Sequence, residues 1–90
     1  MKFINVGYNN MVSAEKIVAL VSFDSAPSKR LVQDSKDSGR AIDCTGGRKT
    51  KSVVIMNSGH VILSSIDSEK LASRISDEDA EDAENTEEDR

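Results

Sequence analysis

Gly46-Gly47-Arg48-Lys49-Thr50-Lys51 is the stretch whose residue types and spacing come nearest to a chemistry. Two glycines free the backbone to turn, three cations follow within four residues, and the apolar run Val53-Val54-Ile55-Met56 comes soon after. That order puts positive charge at the mouth of a buried strand, where a polyanion can dock against a rigid support. A nucleotide-phosphate loop is a different pattern. It needs glycine, four residues, then Gly-Lys-Ser/Thr, and it opens a helix. Here six residues separate Gly39 from Gly46, Arg48 precedes Lys49-Thr50, and a strand is expected next. The segment is not such a loop.

Other chemistries lack their residues. His60 is the only histidine and Cys44 the only cysteine, so neither has a partner of its own kind at metal-ligand spacing. His60 follows a turn and reads as a solvated or cross-strand residue. Cys44 alternates with Ile42 and reads as a small core residue. No serine, histidine and acid are spaced as a nucleophile and its base. The expectation is a protein without catalytic residues, metal, cofactor or small-molecule substrate, and not an enzyme.

The elements that must position the basic stretch can be read from apolar periodicity and breakers. Lys2–Val6 reads as a first strand and Val12–Val21 as a second, strongest over Lys16–Ser22. Ser25-Ala26-Pro27 opens a helix, with Ser25 as cap and proline in the first turn, and Gly39 closes it. Ala41–Cys44 is a short strand. Lys51–Met56 and His60–Ser64 form a hairpin around Asn57-Ser58-Gly59. Asp67 caps a last helix, with Ile66 and Leu71 spaced as a hydrophobic staple. The spacing predicts a small α+β domain over residues 1–76, in the order ββαβββα, with a mostly antiparallel sheet and two helices.

The net charge of −4 hides an asymmetry. Residues 77–90 hold nine of the sixteen acids and one of the twelve cations, which leaves residues 1–76 with a net charge of +4. The acidic stretch has no large apolar residue and is expected to be a disordered tail. The amino-terminal residues lack the apolar segment of a signal peptide, and the longest apolar run, Ile17–Val21, is five residues. That is far short of the ~20 that span a bilayer, so the expected location is the cytoplasm, without a membrane partner.

Ile17–Val21, Val53–Met56 and Val61–Leu63 are continuous apolar runs of the kind that bury both faces of a sheet. Two short helices are expected to cover one face only, which leaves the other for a second copy of the chain, in a homo-oligomer or closed ring. Arg48, Lys49 and Lys51 then form one cationic cluster, with Lys16 on a neighbouring strand and Lys29 and Arg30 in the first turn of a helix. The aromatics are Phe3, Tyr8 and Phe23, too few to stack unpaired bases, so the charge suits the phosphates of duplex DNA. A second reading is a structural or adaptor ring that binds a protein partner and no nucleic acid, which the net acidity favours.

Phe3-Ile4-Asn5-Val6-Gly7, Asn10–Ala14, Asp24-Ser25-Ala26-Pro27, Ile42-Asp43-Cys44-Thr45, Gly47–Lys51 and Val53–Leu63 follow one another in an order that resembles the RemA family of bacterial extracellular-matrix regulators. The resemblance runs from residue 2 to about residue 75. It implies a non-catalytic, DNA-binding transcriptional regulator of biofilm-matrix genes, assembled as a homo-oligomeric ring with duplex DNA along repeated basic residues. The family has Gly-Arg-Arg-Thr-Arg where this chain has Gly47-Arg48-Lys49-Thr50-Lys51, and a cation at the position of Lys16. By that resemblance Lys16, Arg48, Lys49 and Lys51 carry the DNA-contact role. Lysine keeps the phosphate contact but lacks the planar fork that reads guanine. Gly46 stands where the family has an aromatic residue, which predicts a looser loop.

Overall fold

Six strands and two α-helices succeed one another in the structure, a computed structural model that describes residues 1–76. The acidic tail expected over residues 77–90 lies outside the described residues. Strands β1 (Phe3–Asn5) and β2 (Met11–Ser13) form an antiparallel ribbon. A second sheet holds β3 (Ile17–Ser22), β4 (Ala41–Asp43), β5 (Ser52–Met56) and β6 (Val61–Ser64) in the order β3-β5-β6-β4. Its β3–β5 and β5–β6 pairs are antiparallel and its β4–β6 pair is parallel. Helix α1 (Ala26–Asp37) links β3 to β4, and helix α2 (Ser68–Ser76) follows β6. The class is α+β with mostly antiparallel strands, as the sequence predicts.

One expected element is divided. The single strand expected over Val12–Val21 is β2 and β3, parted by a 3-10 turn at Ala14–Lys16. The order therefore gains a strand and becomes βββαβββα. Ala14, Glu15 and Lys16 favour helical over extended backbone, and the Ala14 amide donates to Lys2 O at 2.8 Å. The β-branched residues on either side of the turn belong to different sheets.

The helices form where their caps place them. The Ser25 hydroxyl accepts from the Ser28 amide at 3.3 Å, and Pro27 sits in the first turn of α1. The Asp67 carboxylate accepts from the Lys70 amide at 2.9 Å and so begins α2. Each cap satisfies an amide that the helix itself leaves without a partner.

Alternation along β5 and β6 sends side chains to two separate cores. Val53, Val61 and Leu63 meet Val32 of α1 on one face. Val54 and Ile62 meet Ile4, Val6, Ile66 and Leu71 on the other. The helices thus lie on opposite faces, α1 on one and α2 with the ribbon on the other. This corrects the expectation that both helices share a face and that a second copy must cover the rest: the chain itself buries both faces of β5 and β6. Among the described residues, β3 and β4 are the edges of that sheet. Val18 at a bulge in β3 is 65 % exposed, and Ile42 in β4 is 45 % exposed.

The ribbon is tied to the far end of the chain. Arg74 Nη1, itself buried, donates to Asn5 O at 2.7 Å, and the Ser64 hydroxyl donates to Val6 O at 2.7 Å. Lys2 Nζ donates to Ile75 O at 3.0 Å.

Candidate nucleic-acid interface

The basic stretch leaves β4 through a turn that its own side chains lock. Thr45 is buried, and its hydroxyl donates to Asp43 Oδ1 at 2.6 Å. The Thr45 amide donates to the same oxygen at 2.9 Å. The Gly47 amide reaches back to Thr45 Oγ1 at 3.3 Å, and the Arg48 amide to Thr45 O at 3.1 Å. Gly46 and Gly47 both take positive φ, +65° and +84°, which glycine adopts at little cost. A methyl group at Gly46 would run into the ring of Tyr8, which packs over the bare backbone. The loop is braced at this point, contrary to the looseness expected of a glycine there. Asp43, Thr45 and Tyr8 are the residues that sequence reasoning missed; the Asp43-x-Thr45 spacing of an Asx turn was the available signal for the first two.

The hydrogen bond from the Thr45 hydroxyl, seconded by its amide, holds the Asp43 carboxyl below the ordinary carboxylate range. A depressed folded-state value means that the unfolded chain binds the proton more readily. The stabilisation is present above the unfolded value and is lost as pH falls through the folded one. On acid titration the amide signals of Thr45 and Gly47 should therefore lose protection below the usual aspartate range. Asp43→Asn should remove that step. Thr45→Val keeps the shape and the backbone bonds but deletes the two hydrogen bonds of the hydroxyl, and should cost about 1–2 kcal/mol in a denaturant titration. Neighbouring Cys44 is buried; burial, then the charge of Asp43, pushes its thiol up and keeps it protonated.

The four expected contact residues do not converge. Lys49 and Lys51 line a cleft of about 420 Å³, whose other wall is the β3–α1 connection and the first turn of α1, with Phe23, Asp24 and Lys29. The backbone of Lys51 is fixed on both sides: its amide donates to Ser64 O at 2.8 Å and its carbonyl accepts from Phe23 N at 3.1 Å. Arg48 stands on the exposed turn outside that cleft. Lys16 lies at the opposite end of the sheet, where its carbonyl accepts from Asn57 N at 2.8 Å beside the β5–β6 turn. The β3–β5 register pairs Ile17 with Met56 and Ser22 with Ser52. About six residues of strand thus separate Lys16 from the Lys51 end, roughly 20 Å at ~3.3 Å per residue.

A different cleft surrounds Lys16, lined by Met11, Ile42 and His60 among others. His60 is exposed and shares a hydrogen bond with the Ser58 hydroxyl at 2.7 Å, in line with a solvated histidine. Among the described residues, no group of three or more His, Cys, Asp or Glu is placed to hold a metal ion. Nor is any helix among them long and apolar enough to cross a membrane.

The described residues thus form a small α+β domain that displays a braced cationic loop. Comparison with known proteins sets this domain among regulatory proteins. Residues 3–75 match the RemA-like family, described as extracellular matrix regulatory protein A-like. A protein of Geobacillus kaustophilus named as a regulatory protein is 57% identical over 75 residues, which cover 83% of this chain and 86% of that one. Relatives with the same name in Acetivibrio thermocellus and Desulfitobacterium hafniense are 46% and 48% identical, over 93% and 99% of this chain and 90% and 94% of theirs. The chain belongs to the RemA-like family of regulatory proteins.

Proposed function

We propose that this protein is a cytoplasmic transcriptional regulator of matrix genes that binds duplex DNA as a homo-oligomeric ring. The observation that carries the reading is the locked turn. Asp43, Thr45 and the two glycines hold Arg48, Lys49 and Lys51 out from a rigid sheet, so the cations meet a phosphate backbone without first losing loop entropy. Membership in a regulatory family and the net charge of +4 over residues 1–76 point the same way. In the proposed ring the Lys16 end and the loop end recur with every copy. Contacts weak in one copy then add along a single duplex.

The test is a shift assay with a 30-base-pair duplex over a salt series, with light scattering on the same samples. Affinity should fall with salt at a log–log slope of roughly −0.9 per phosphate contact, on a particle several times the mass of one chain. Absence of binding at low salt, or binding indifferent to salt, defeats the reading. An oligomer without DNA affinity would instead support the adaptor ring, for which Met11 and Ile42, exposed beside Lys16, supply an apolar contact.

A further inference from the structure

We infer that the cleft between α1 and the basic loop is the seat of a backbone phosphate, and that Lys29 is a further DNA-contact residue within it. This deepens the DNA-binding reading and rests on it. Lys29 comes from the first turn of α1, about twenty residues before the loop, so charge clustering along the chain does not join it to Lys49 and Lys51. The fold does, by placing all three on the walls of one cleft of about 420 Å³.

The cleft is built rather than incidental. Its two walls are stitched together by the Phe23–Lys51 backbone hydrogen bond at 3.1 Å. Lys29 Nζ stands 6.0 Å from the centre of the Phe23 ring, a cation–π contact that restrains a side chain otherwise free to wander. The opposing charges are accounted for. Asp24 and Asp67 also line the cleft, which leaves a formal excess of one positive charge. Asp24 accepts from the Ser22 hydroxyl at 3.0 Å, and Asp67 is the cap of α2, so each carboxylate already has a donor. Three ammonium groups on two facing walls suit a phosphodiester, whose charge is spread over two oxygens.

The test compares full-length wild type, Lys29→Ala and Lys49→Ala on one duplex over the salt series, with inorganic tripolyphosphate as a second probe. For each copy engaged on the duplex, each variant should flatten the slope by roughly 0.9 and weaken binding about eightfold at 0.1 M salt. Asp24→Asn should tighten binding about threefold, because it removes a like charge beside the phosphate. If Lys49→Ala flattens the slope and Lys29→Ala does not, the inference is overturned and the DNA reading stands. If wild type binds no DNA, that reading falls, and tripolyphosphate decides the cleft. Saturable binding lost in Lys29→Ala keeps the cleft as an anion site, and absence of such binding removes it.

Discussion

Replacing Arg48 and Lys49 together by alanine lowers affinity for any duplex by about 60-fold at 0.1 M salt for each copy of the loop engaged. The number follows from counterion release. Two lost phosphate contacts remove about 1.8 from the log–log slope, and one decade of salt below 1 M converts that to about 1.8 log units. In a ring the loss multiplies with the number of loops on one duplex. The fold should survive, since both residues are exposed and the turn is held by Asp43 and Thr45 rather than by these side chains. Circular dichroism and mass should therefore match wild type while DNA affinity collapses. A loss confined to one sequence would mean base readout instead of phosphate contact, and an unchanged affinity would remove the loop from the interface.

Leu71→Ala is expected to have the largest effect on stability. Leu71 is fully buried in α2 and belongs to the core that covers the Val54–Ile62 face of the sheet. Removing a buried leucine beyond its β-carbon costs about 2–5 kcal/mol, through lost transfer energy and the cavity left behind. A domain of this size is stable by only about 4–11 kcal/mol, so the variant should melt roughly 10–30 °C lower. Ala72→Ser, one residue on and exposed, is the control and should change little. A thermal scan that separates the two by less than about 4 °C would show that α2 is not an essential part of that core.

The helices were legible because their signals are local. Ser25-Ala26-Pro27 and Asp67 are caps whose hydrogen bonds form within one turn, and both do form. The hairpin at Asn57–Gly59 was legible for the same reason, with the Gly59 amide donating to Met56 O at 2.9 Å. The break at Ala14–Lys16 was obscured by the β-branched residues around it, although alanine, glutamate and lysine are helix formers. Non-local facts were the hardest to read. Neither the parallel β4–β6 pair nor the placement of the helices on opposite faces is written in any window of ten residues. The candidate site shows both limits. Its cations were named from the chain, but strand register alone sets Lys16 far from Lys51, and only the fold brings Lys29 to the loop.

The clasp between the two ends of the domain fixes an order of events during synthesis. The bonds from Ser64 to Val6, Arg74 to Asn5 and Lys2 to Ile75 span 58, 69 and 73 residues. The ribbon is thus made first, while two of its three tethers, Arg74 and Ile75, are made at the far end of the domain. The α1-covered face can assemble from residues 21–64, while the other face, covered in part by Ile4 and Val6, is completed only when Ile66, Leu71 and Arg74 arrive. A chain halted before α2 would carry one finished face and one incompletely covered apolar face, lacking Leu71. Such a fragment would be adhesive toward its own kind, so quality control has reason to remove it quickly.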